Sequence, residues 1–538
     1  MFYLKERNMI LLQSLSYHHP NKELLFADIH LALKGQDKVA LIGNNGKGKS
    51  TLLKIIAGEL SPGSGTVTTD FVPYYIPQHF GQFNELTVAQ ALRIEDKLVA
   101  LHQVLNGIIT ESNLEILHDD WSIEERCHAA LHQWRLQGIS LHQKMESLSG
   151  GQKTKVFLAG ISIHQPQIVL MDEPSNHLDA EARELLYHFI QATSNTLIVV
   201  SHDRKLLNLL SSVCELDADG LTVYGGNYQF YRQQKRIESN ALNEDVKTKE
   251  KALRKAKETE RTSIERQQKL NARGKKKQEK AGVPTIFMNT LRNNAEKSTA
   301  KLKGAHTEKI ETISSELNEL RKELPDLDQM KLTFDDASLH KGKVLITVKE
   351  INFAYNEQDL WKTPLSFEVR SGERITLKGC NGSGKTTLIK IILGQLQPKV
   401  GTIYRANTKA VYIDQDYTII DNGVTVYQQV QRFNNDALLE HEVKIRLSRF
   451  LFTKDDWNKP CAVLSGGEKM RLVLCCLVVA NRAPDMIVLD EPTNNLDIQN
   501  IEILTTAIRS YQGTLVIVSH DTVFLDEIGV SGEIALDI

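Results

Sequence analysis

Short apolar runs recur along the chain. Four of them are residues 38–42, 168–172, 374–377 and 486–490, and each ends on an Asp or is followed within two residues by a Gly. Runs of this length, bounded by turn-forming residues, predict strands buried on both faces of a parallel sheet. Glycine-rich loops follow the first and third runs and lead into apolar segments with helical character, so the pattern predicts an α/β fold.

The pattern changes between the two halves of the chain. From residue 247 to 280 there are fourteen Lys or Arg against five Glu, and helix-forming residues dominate. This composition predicts a long basic helix, although a merely solvated helix face is the simpler alternative. Gly-Val-Pro at 282–284 interrupts it. Apolar residues then recur at the 3-4-3-4 spacing of a coiled-coil seam, and a Pro at 325 ends the run. The seam residues are Ile310, Ile313, Leu317, Leu320 and Leu324. We expect a helical hairpin with its tip near 281–300.

Membrane and secretory signals are weak. The longest apolar run, 472–480, lies between two arginines and is far shorter than the ~20 residues that cross a bilayer. Residues 1–7 lack the charged-then-apolar order of a signal peptide, and Met9 is an alternative start. The six cysteines show no metal-binding spacing. These features predict a cytoplasmic protein with reduced thiols and no membrane insertion.

An internal repeat organises the 538 residues. The repeated segments are 43–51 with 379–387, 148–152 with 464–468, 168–174 with 486–492, and 199–203 with 517–521. The glycine-rich loops lie 336 residues apart but the 148–152 pair only 316, so about twenty extra residues lie in the first copy. We place them at 91–121. The predicted domains are 1–235, a linker over 236–340, and 341–538.

Each glycine-rich loop has the strand–loop–helix context of a P-loop, in which backbone N–H groups wrap phosphates. Lys49 and Lys385 are expected to reach the β- and γ-phosphates of ATP, and Ser50 and Thr386 to bind Mg²⁺. The other predicted nucleotide-binding residues are Gly43, Asn44, Asn45, Gly46, Gly48 and Thr51 in the first copy, and Gly379, Asn381, Gly382, Ser383, Gly384 and Thr387 in the second.

The repeated acids and histidines predict hydrolysis. Asp172 and Asp490 end apolar strands, where a carboxylate can hold Mg²⁺ at the edge of the sheet. Glu173 and Glu491 follow, where strand alternation turns the side chain elsewhere, and are expected to orient and deprotonate water. A helix-capping acid before Pro is the alternative. In each copy a histidine lies 30 residues after the Asp. We expect it to reach the γ-phosphate and to act together with the Glu. These histidines are His202 and His520.

The Leu-Ser-Gly-Gly segments form a second predicted phosphate-binding device in each copy. Their nucleotide-contacting residues are Ser149, Gly150, Gly151 and Gln152, and Ser465, Gly466, Gly467 and Glu468. One ATP does not need two such sites from one domain. We therefore expect each ATP to lie between the P-loop of one copy and the Ser-Gly-Gly segment of the other, so that a monomer supplies the pair internally.

In this order, the motifs resemble those of the ATP-binding cassette (ABC) superfamily over nearly the whole chain. The resemblance implies two P-loop NTPase cassettes joined by the helical hairpin. It implies that Gln78 and Gln415 are further Mg²⁺ ligands and that 175–179 and 493–497 are D-loops, the segments that follow the catalytic acids. It also implies an aromatic residue stacked on adenine. The candidates are Tyr17 or His19, and Phe353 or Tyr355, and we favour the two tyrosines.

Two cassettes, no membrane span and the segment 224–231 leading into a charged linker are similar to subfamily F. This resemblance implies binding to the ribosome, with the linker near rRNA and peptidyl-tRNA, as a translation factor or as an antibiotic-resistance factor. The basic linker is consistent with contacts to RNA phosphates. An ATP-binding subunit of a transporter with separate membrane chains is the main alternative, and a DNA-associated ATPase is a weaker one.

Overall fold

The computed structural model describes residues 8–19, 24–217, 220–278, 285–323, 342–356, 358–380, 382–435, 438–480 and 483–536. It divides into two compact units. One unit contains Met1–Tyr231 together with Met330–Ile538, and the other is Arg232–Gln329. Both predicted cassettes therefore belong to one unit.

The first cassette combines a mixed sheet, a small antiparallel sheet and helices. Its elements are β1 Asn8–His18, β2 Leu24–Lys34, β3 Lys38–Ile42, α1 Lys49–Ile56, β4 Ser64–Thr69, β5 Tyr74–Ile76, α2 Val88–Ala91, α3 Glu95–Leu105, α4 Glu111–Leu117, α5 Ile123–Gln133, α6 Gly150–His164, β6 Ile168–Asp172, α7 Ala180–Ala192, β7 Thr196–Val200, α8 Arg204–Leu207, β8 Ser212–Asp217 and β9 Gly220–Tyr224.

Strand order β5-β6-β7-β3-β8-β9 places the predicted site at one edge of the main sheet. The strands from β5 to β8 are parallel, and β9 runs antiparallel to β8. Strands β6 and β7 are buried throughout, which explains their continuous apolar sequences. Because β3, β6 and β7 are neighbours, the segments that follow them meet at the carboxyl edge. The antiparallel sheet β2-β1-β4 packs its apolar face against α1.

The linker helices are α9, Tyr228–Gln278, and α10, Thr285–Glu323. Asn227 caps the start of α9, because its Oδ1 accepts a hydrogen bond from Phe230 N at 3.1 Å. The predicted linker start at 236 therefore lies inside a helix. Residues 285–300 are helical, although the sequence placed them in the predicted tip at 281–300. Residues 282–284 and 324–325, named above, lie outside the described residues.

The hairpin of the second unit packs along the predicted seam. Leu317 of α10 and Val246 of α9 are buried, and Ile310, Ile313 and Leu320 are partly buried. Ion pairs flank this seam. Lys249 pairs with Glu316, and Arg321 Nη2 donates to Glu250 Oε1 at 2.6 Å. The helical hairpin predicted from spacing is confirmed.

The second cassette repeats the architecture. Its elements are β10 Val344–Asn352, β11 Ala354–Tyr355, β12 Gln358–Asp359, β13 Leu365–Arg370, β14 Arg374–Lys378, α11 Lys385–Ile392, β15 Val400–Arg405, β16 Ala410–Ile413, α12 Val426–Gln431, α13 Glu440–Arg449, α14 Gly466–Val479, β17 Met486–Asp490, α15 Ile498–Ser510, β18 Thr514–Val518, α16 Thr522–Glu527 and β19 Gly532–Ala535. Its parallel sheet has the order β16-β17-β18-β14-β19. In the first cassette, α3 and α4 occupy the predicted extra segment 91–121.

Candidate active site

The glycine that ends each P-loop has a backbone conformation that larger residues rarely adopt. Gly48 has φ of 94°, and a Cβ there would lie 2.6 Å from the Leu25 side chain. Gly384 has φ of 83°, and its Cβ would lie 2.4 Å from Leu360. Each glycine begins a helix, α1 or α11, without a side-chain cap. The first N–H groups of these helices are therefore suited to bind phosphate.

The P-loop lysines fold back over their own loops. Lys49 Nζ donates to Gly43 O at 2.6 Å and to Asn44 O at 3.2 Å. Lys385 Nζ donates to Gly379 O at 2.8 Å and to Cys380 O at 3.0 Å. Burial lowers the pKa of both lysines, and the acids nearby oppose that shift. The same geometry in both copies puts an ammonium group where the loop would enclose phosphates.

The Asp residues that end β6 and β17 meet a hydroxyl and a tyrosine in each cassette. Asp490 Oδ2 accepts from Thr386 Oγ1 at 3.2 Å and from Tyr412 OH at 3.1 Å. Asp172 Oδ2 accepts from Tyr75 OH at 3.4 Å, and Ser50 also bonds to Asp172. Burial raises the pKa of both carboxyl groups. The sequence reasoning missed the tyrosines, although each precedes the predicted Gln by three residues in both copies.

These hydroxyl and carboxylate oxygens fit Mg²⁺, which prefers a few protein oxygens together with phosphate oxygens. Asp172 Oδ1 is buried and has no hydrogen-bond partner within the described residues, so it can accept a cation. Among the described residues, no cluster of three or more His, Cys, Asp or Glu could hold a metal ion by itself. A site completed by phosphates agrees with both observations.

The acids that follow the strands have an unusual backbone. Glu173 has φ of 52° and Glu491 has φ of 49°, in the left-handed region that non-glycine residues rarely adopt. The strand has already ended, so this turn sets the direction of the side chain, and the expectation based on strand alternation was wrong. A backbone hydrogen bond to the neighbouring strand fixes this turn in each cassette. Glu173 N donates to Val200 O and Glu491 N donates to Val518 O, both at 2.8 Å.

Each of these glutamates lies beside the predicted histidine. His202 Nε2 is 3.3 Å from Glu173 Oε1, and His520 Nε2 is 3.3 Å from Glu491 Oε1. Burial lowers the pKa of His202 to about 3 and that of His520 to about 4. Burial likewise raises the pKa of Glu173 to about 8 and that of Glu491 to about 7. The imidazoles are therefore neutral at physiological pH, and each glutamate titrates near the pH at which a general base is useful.

The first site is a cavity of about 380 Å³ that both cassettes line. Asn45 N donates to Asp497 Oδ2 at 3.3 Å, and Asn45 Nδ2 donates to Asn495 O at 3.5 Å. The P-loop of one cassette thus contacts the D-loop of the other. The lining residues are His19, Leu25, Asn45, Gly46, Gly48, Lys49, Ser50, Thr51, Gln78, Asp172, Glu173, Asn176, Val200, His202 and Asn495.

The structure shows where the aromatic candidates lie. His19 lines the cavity, and Tyr17 lies beside it with ring centroids 6.4 Å apart while also packing against Phe26 at 6.2 Å, so both residues stay candidates for stacking on adenine. In the second cassette Tyr355 is 55% exposed, and its OH lies 3.2 Å from Thr387 Oγ1. Gln415 is exposed in the turn after β16, and Asn381 lies outside the described residues.

The Ser-Gly-Gly segments begin α6 and α14 but do not line this cavity. Ser149 and Ser465 cap these helices, accepting from Gln152 N at 3.3 Å and from Glu468 N at 3.4 Å. The Gln152 and Glu468 side chains accept from the serine N–H groups in return. In this structure, the D-loop of the opposite cassette, rather than its Ser-Gly-Gly segment, completes the wall of the first cavity.

Paired P-loops, each with a Ser or Thr, an Asp-Glu pair and a His, define a tandem nucleotide-hydrolysing protein. No helix in the described part of the chain is long and apolar enough to cross a membrane. The sequence model of the ABC transporter family matches residues 26–176 and 363–494, which together make up more than half of the chain.

Comparison with similar proteins indicates the subfamily within this family. The energy-dependent translational throttle protein EttA of Haemophilus influenzae is 29% identical over 536 residues, 95% of this chain and 88% of EttA. ABC transporter F family member 5 of Arabidopsis thaliana is 28% identical over 545 residues, 93% of this chain and 71% of that protein. The archaeal ribosome recycling factor aABCE1, solved with the stalk protein aP1, shares the fold with a TM-score of 0.59 at 19% identity, covering 96% of this chain and 86% of that one.

The chain belongs to the ATP-binding cassette superfamily, within subfamily F. It is an ATPase with two cassettes.

Proposed function

We propose that this protein binds and hydrolyses two ATP molecules at sites shared between its cassettes, and that closing and opening of the pair control its binding to the ribosome. The proposal of shared ATP sites rests on the contact of Asn45 with Asp497 and Asn495. This contact makes the D-loop of the second cassette part of the P-loop site of the first. An apolar contact supports the same pairing. Ile498 of α15 packs against the core of the first cassette.

The residues divide the chemistry between them. Ser50 with Asp172, and Thr386 with Asp490, would hold Mg²⁺, which neutralises charge on the β- and γ-phosphates when bound. The amides of the Gln78 and Gln415 side chains are further candidate ligands. The lysines and the N–H groups of the P-loops bind phosphate oxygens. The glutamates accept a proton from the attacking water, and the neutral histidines donate an N–H to the γ-phosphate.

The exposed face of α9 supports binding to RNA. Lys251, Arg254, Lys255, Lys257 and Lys269 are all exposed on this helix. Such a row of cations binds phosphates without sequence preference and with strong salt dependence. The translational role in the name of EttA, a relative along most of its length, favours ribosomal RNA and peptidyl-tRNA over DNA as the partner. Whether the hairpin serves translation itself or antibiotic resistance would be decided by drug susceptibility with and without the gene.

The ribosome assignment is tested with the double variant Glu173→Gln/Glu491→Gln, which keeps ATP without hydrolysing it. In a sucrose gradient, we expect this variant to migrate with ribosomes in ATP and to stay at the top in ADP. Glu125 and Glu440 are exposed glutamates remote from the P-loops in sequence, and their double Gln variant is the matched control. A variant that stays off ribosomes in ATP rejects the ribosome role, and its appearance with membranes would favour the transporter-subunit alternative.

Neutralising Lys255, Lys257 and Lys269 with glutamine should weaken ribosome binding and flatten its salt dependence. Each lost phosphate contact is expected to reduce the slope of log affinity against log salt by about 0.7–1. The triple variant is made in the Glu173→Gln/Glu491→Gln background. Its ribosome binding is measured at roughly 50–300 mM KCl, the range of salt over which such slopes are usually determined. The control changes three exposed lysines of the second cassette, Lys349, Lys399 and Lys454. An equal slope in both triple variants would mean that α9 is only a solvated surface.

A further inference from the structure

The segments after the two histidines share one local structure but carry different residues directly after the capping Asp. Asp203 caps α8 by accepting from Lys205 N at 3.0 Å and from Leu206 N at 3.1 Å. Asp521 caps α16 by accepting from Phe524 N at 2.9 Å. The residue after the capping Asp is Arg204 in the first cassette and Thr522 in the second. The repeat therefore has a cation on one side only.

Arg204 reaches into the other cassette. Its Nη1 donates to Glu527 Oε2 at 2.6 Å, and its Nη2 lies 3.7 Å from Asp521 Oδ2. Glu527 ends α16, and Asp521 directly follows His520. The Arg204 side chain is only 2% exposed, so these carboxylates of the second cassette balance a charge that is held away from water.

The acid nearest in sequence does not take this role. Asp203 Oδ2 accepts from Tyr187 OH at 2.5 Å and lies 3.9 Å from Arg183 Nη1, while its Oδ1 caps α8. Arg204 therefore depends on the second cassette for its counter-charges. Separating the cassettes would leave the guanidinium group unpaired unless water reached it, so the contact favours the joined arrangement.

We propose that Arg204 is a positioning residue that links the two switch histidines, through its hydrogen bond to Glu527 and its ion pair with Asp521, and makes the two ATP sites act cooperatively. Arg204 lies two residues after His202, and its partner Asp521 lies one residue after His520. A shift of the 202–204 segment as ATP enters the first site is carried to the 520–521 segment of the second. The link is made by one residue and has no counterpart from Thr522, so it couples two sites whose surroundings are not equivalent.

The proposal concerns the ATPase and stands apart from ribosome binding. The test measures steady-state ATP hydrolysis against ATP concentration for the full chain without ribosomes. We expect a Hill coefficient above 1 for the unchanged protein and a value near 1 for Arg204→Met and for Glu527→Ala, which removes the acceptor, as coupling of linked sites requires. The charge swap Arg204→Glu/Glu527→Arg should restore at least part of the cooperativity. Thr522→Met, at the exposed equivalent position, is the control and should keep the coefficient.

A role limited to stability predicts a different outcome. Arg204→Met would then melt at a lower temperature with the Hill coefficient unchanged, and the charge swap would change only the melting temperature. Glu527 is partly exposed, so Glu527→Ala provides the decisive measurement even if Arg204→Met does not fold. A coefficient of 1 in the unchanged protein, or an unchanged coefficient in Glu527→Ala, overturns the proposal.

Discussion

Exchange of both Glu173 and Glu491 for glutamine is expected to lower the rate of ATP hydrolysis by about 10²–10⁴-fold, the usual contribution of a general base, and to leave ATP binding intact. Glutamine keeps the size of the side chain and can still accept from the backbone N–H of His202, which donates to Glu173 Oε2 at 3.3 Å. It cannot take a proton from water. Phosphate release and binding of a fluorescent ATP analogue measure the two properties separately. The Glu125→Gln/Glu440→Gln variant should change neither.

The single variants add a pH signature. Glu173→Gln leaves only Glu491, whose pKa is raised to about 7, and Glu491→Gln leaves only Glu173, whose pKa is raised to about 8. A base works when it is ionised, so activity rises with pH in both variants. The rise in Glu173→Gln should occur at lower pH than the rise in Glu491→Gln. Flat profiles, or the reverse order, would contradict the assignment of these glutamates as bases.

Replacing Trp361 with alanine is expected to destabilise the second cassette by about 3–5 kcal/mol and to weaken ATP binding at its P-loop. Trp361 is 1% exposed, and its ring packs in the core beneath α11. Its Nε1 donates to Ser383 O at 2.9 Å, which ties the core directly to the loop. Loss of the ring removes both the packing and this support. Chemical denaturation and ATP titration measure the two effects.

Two other tryptophan variants separate packing from the hydrogen bond. Trp361→Phe keeps most of the ring but removes the donor to Ser383 O, so a smaller cost of about 1–3 kcal/mol is expected. Trp121 is 50% exposed, and its exchange for alanine should change the free energy of unfolding by less than about 0.5 kcal/mol. Equal losses in Trp361→Ala and Trp121→Ala would show that Trp361 does not support the loop.

Much of the site could be read from the sequence because its signals are local. A strand buried on both faces has to be a continuous apolar run, and β6 and β17 coincide with the predicted segments 168–172 and 486–490. A loop that bends with positive φ against a packed side chain has to use glycine, as at Gly48 and Gly384. Both signals occur twice along the chain, and this repeat led to the hypothesis that the two cassettes pair.

Tertiary structure decided which residues complete the site. The tyrosines that bond Asp172 and Asp490 come from β5 and β16, and only strand order makes them neighbours. The direction of Glu173 depends on a hydrogen bond to β7, which no pattern around residue 173 reveals. The position of His19 in the cavity wall, with Tyr17 packed against Phe26, likewise depends on tertiary packing.

The sequence by itself determined the two α/β cassettes and the helical hairpin between them, and it supplied the candidate residues of each ATP site, because backbone geometry and phosphate chemistry restrict the residues at single positions. Only the tertiary structure decided how the cassettes meet. The contacts of Asn45 with Asp497 and of Arg204 with Glu527 join residues hundreds of positions apart. Such contacts depend on the shapes and charges of two complete surfaces, which no local spacing encodes.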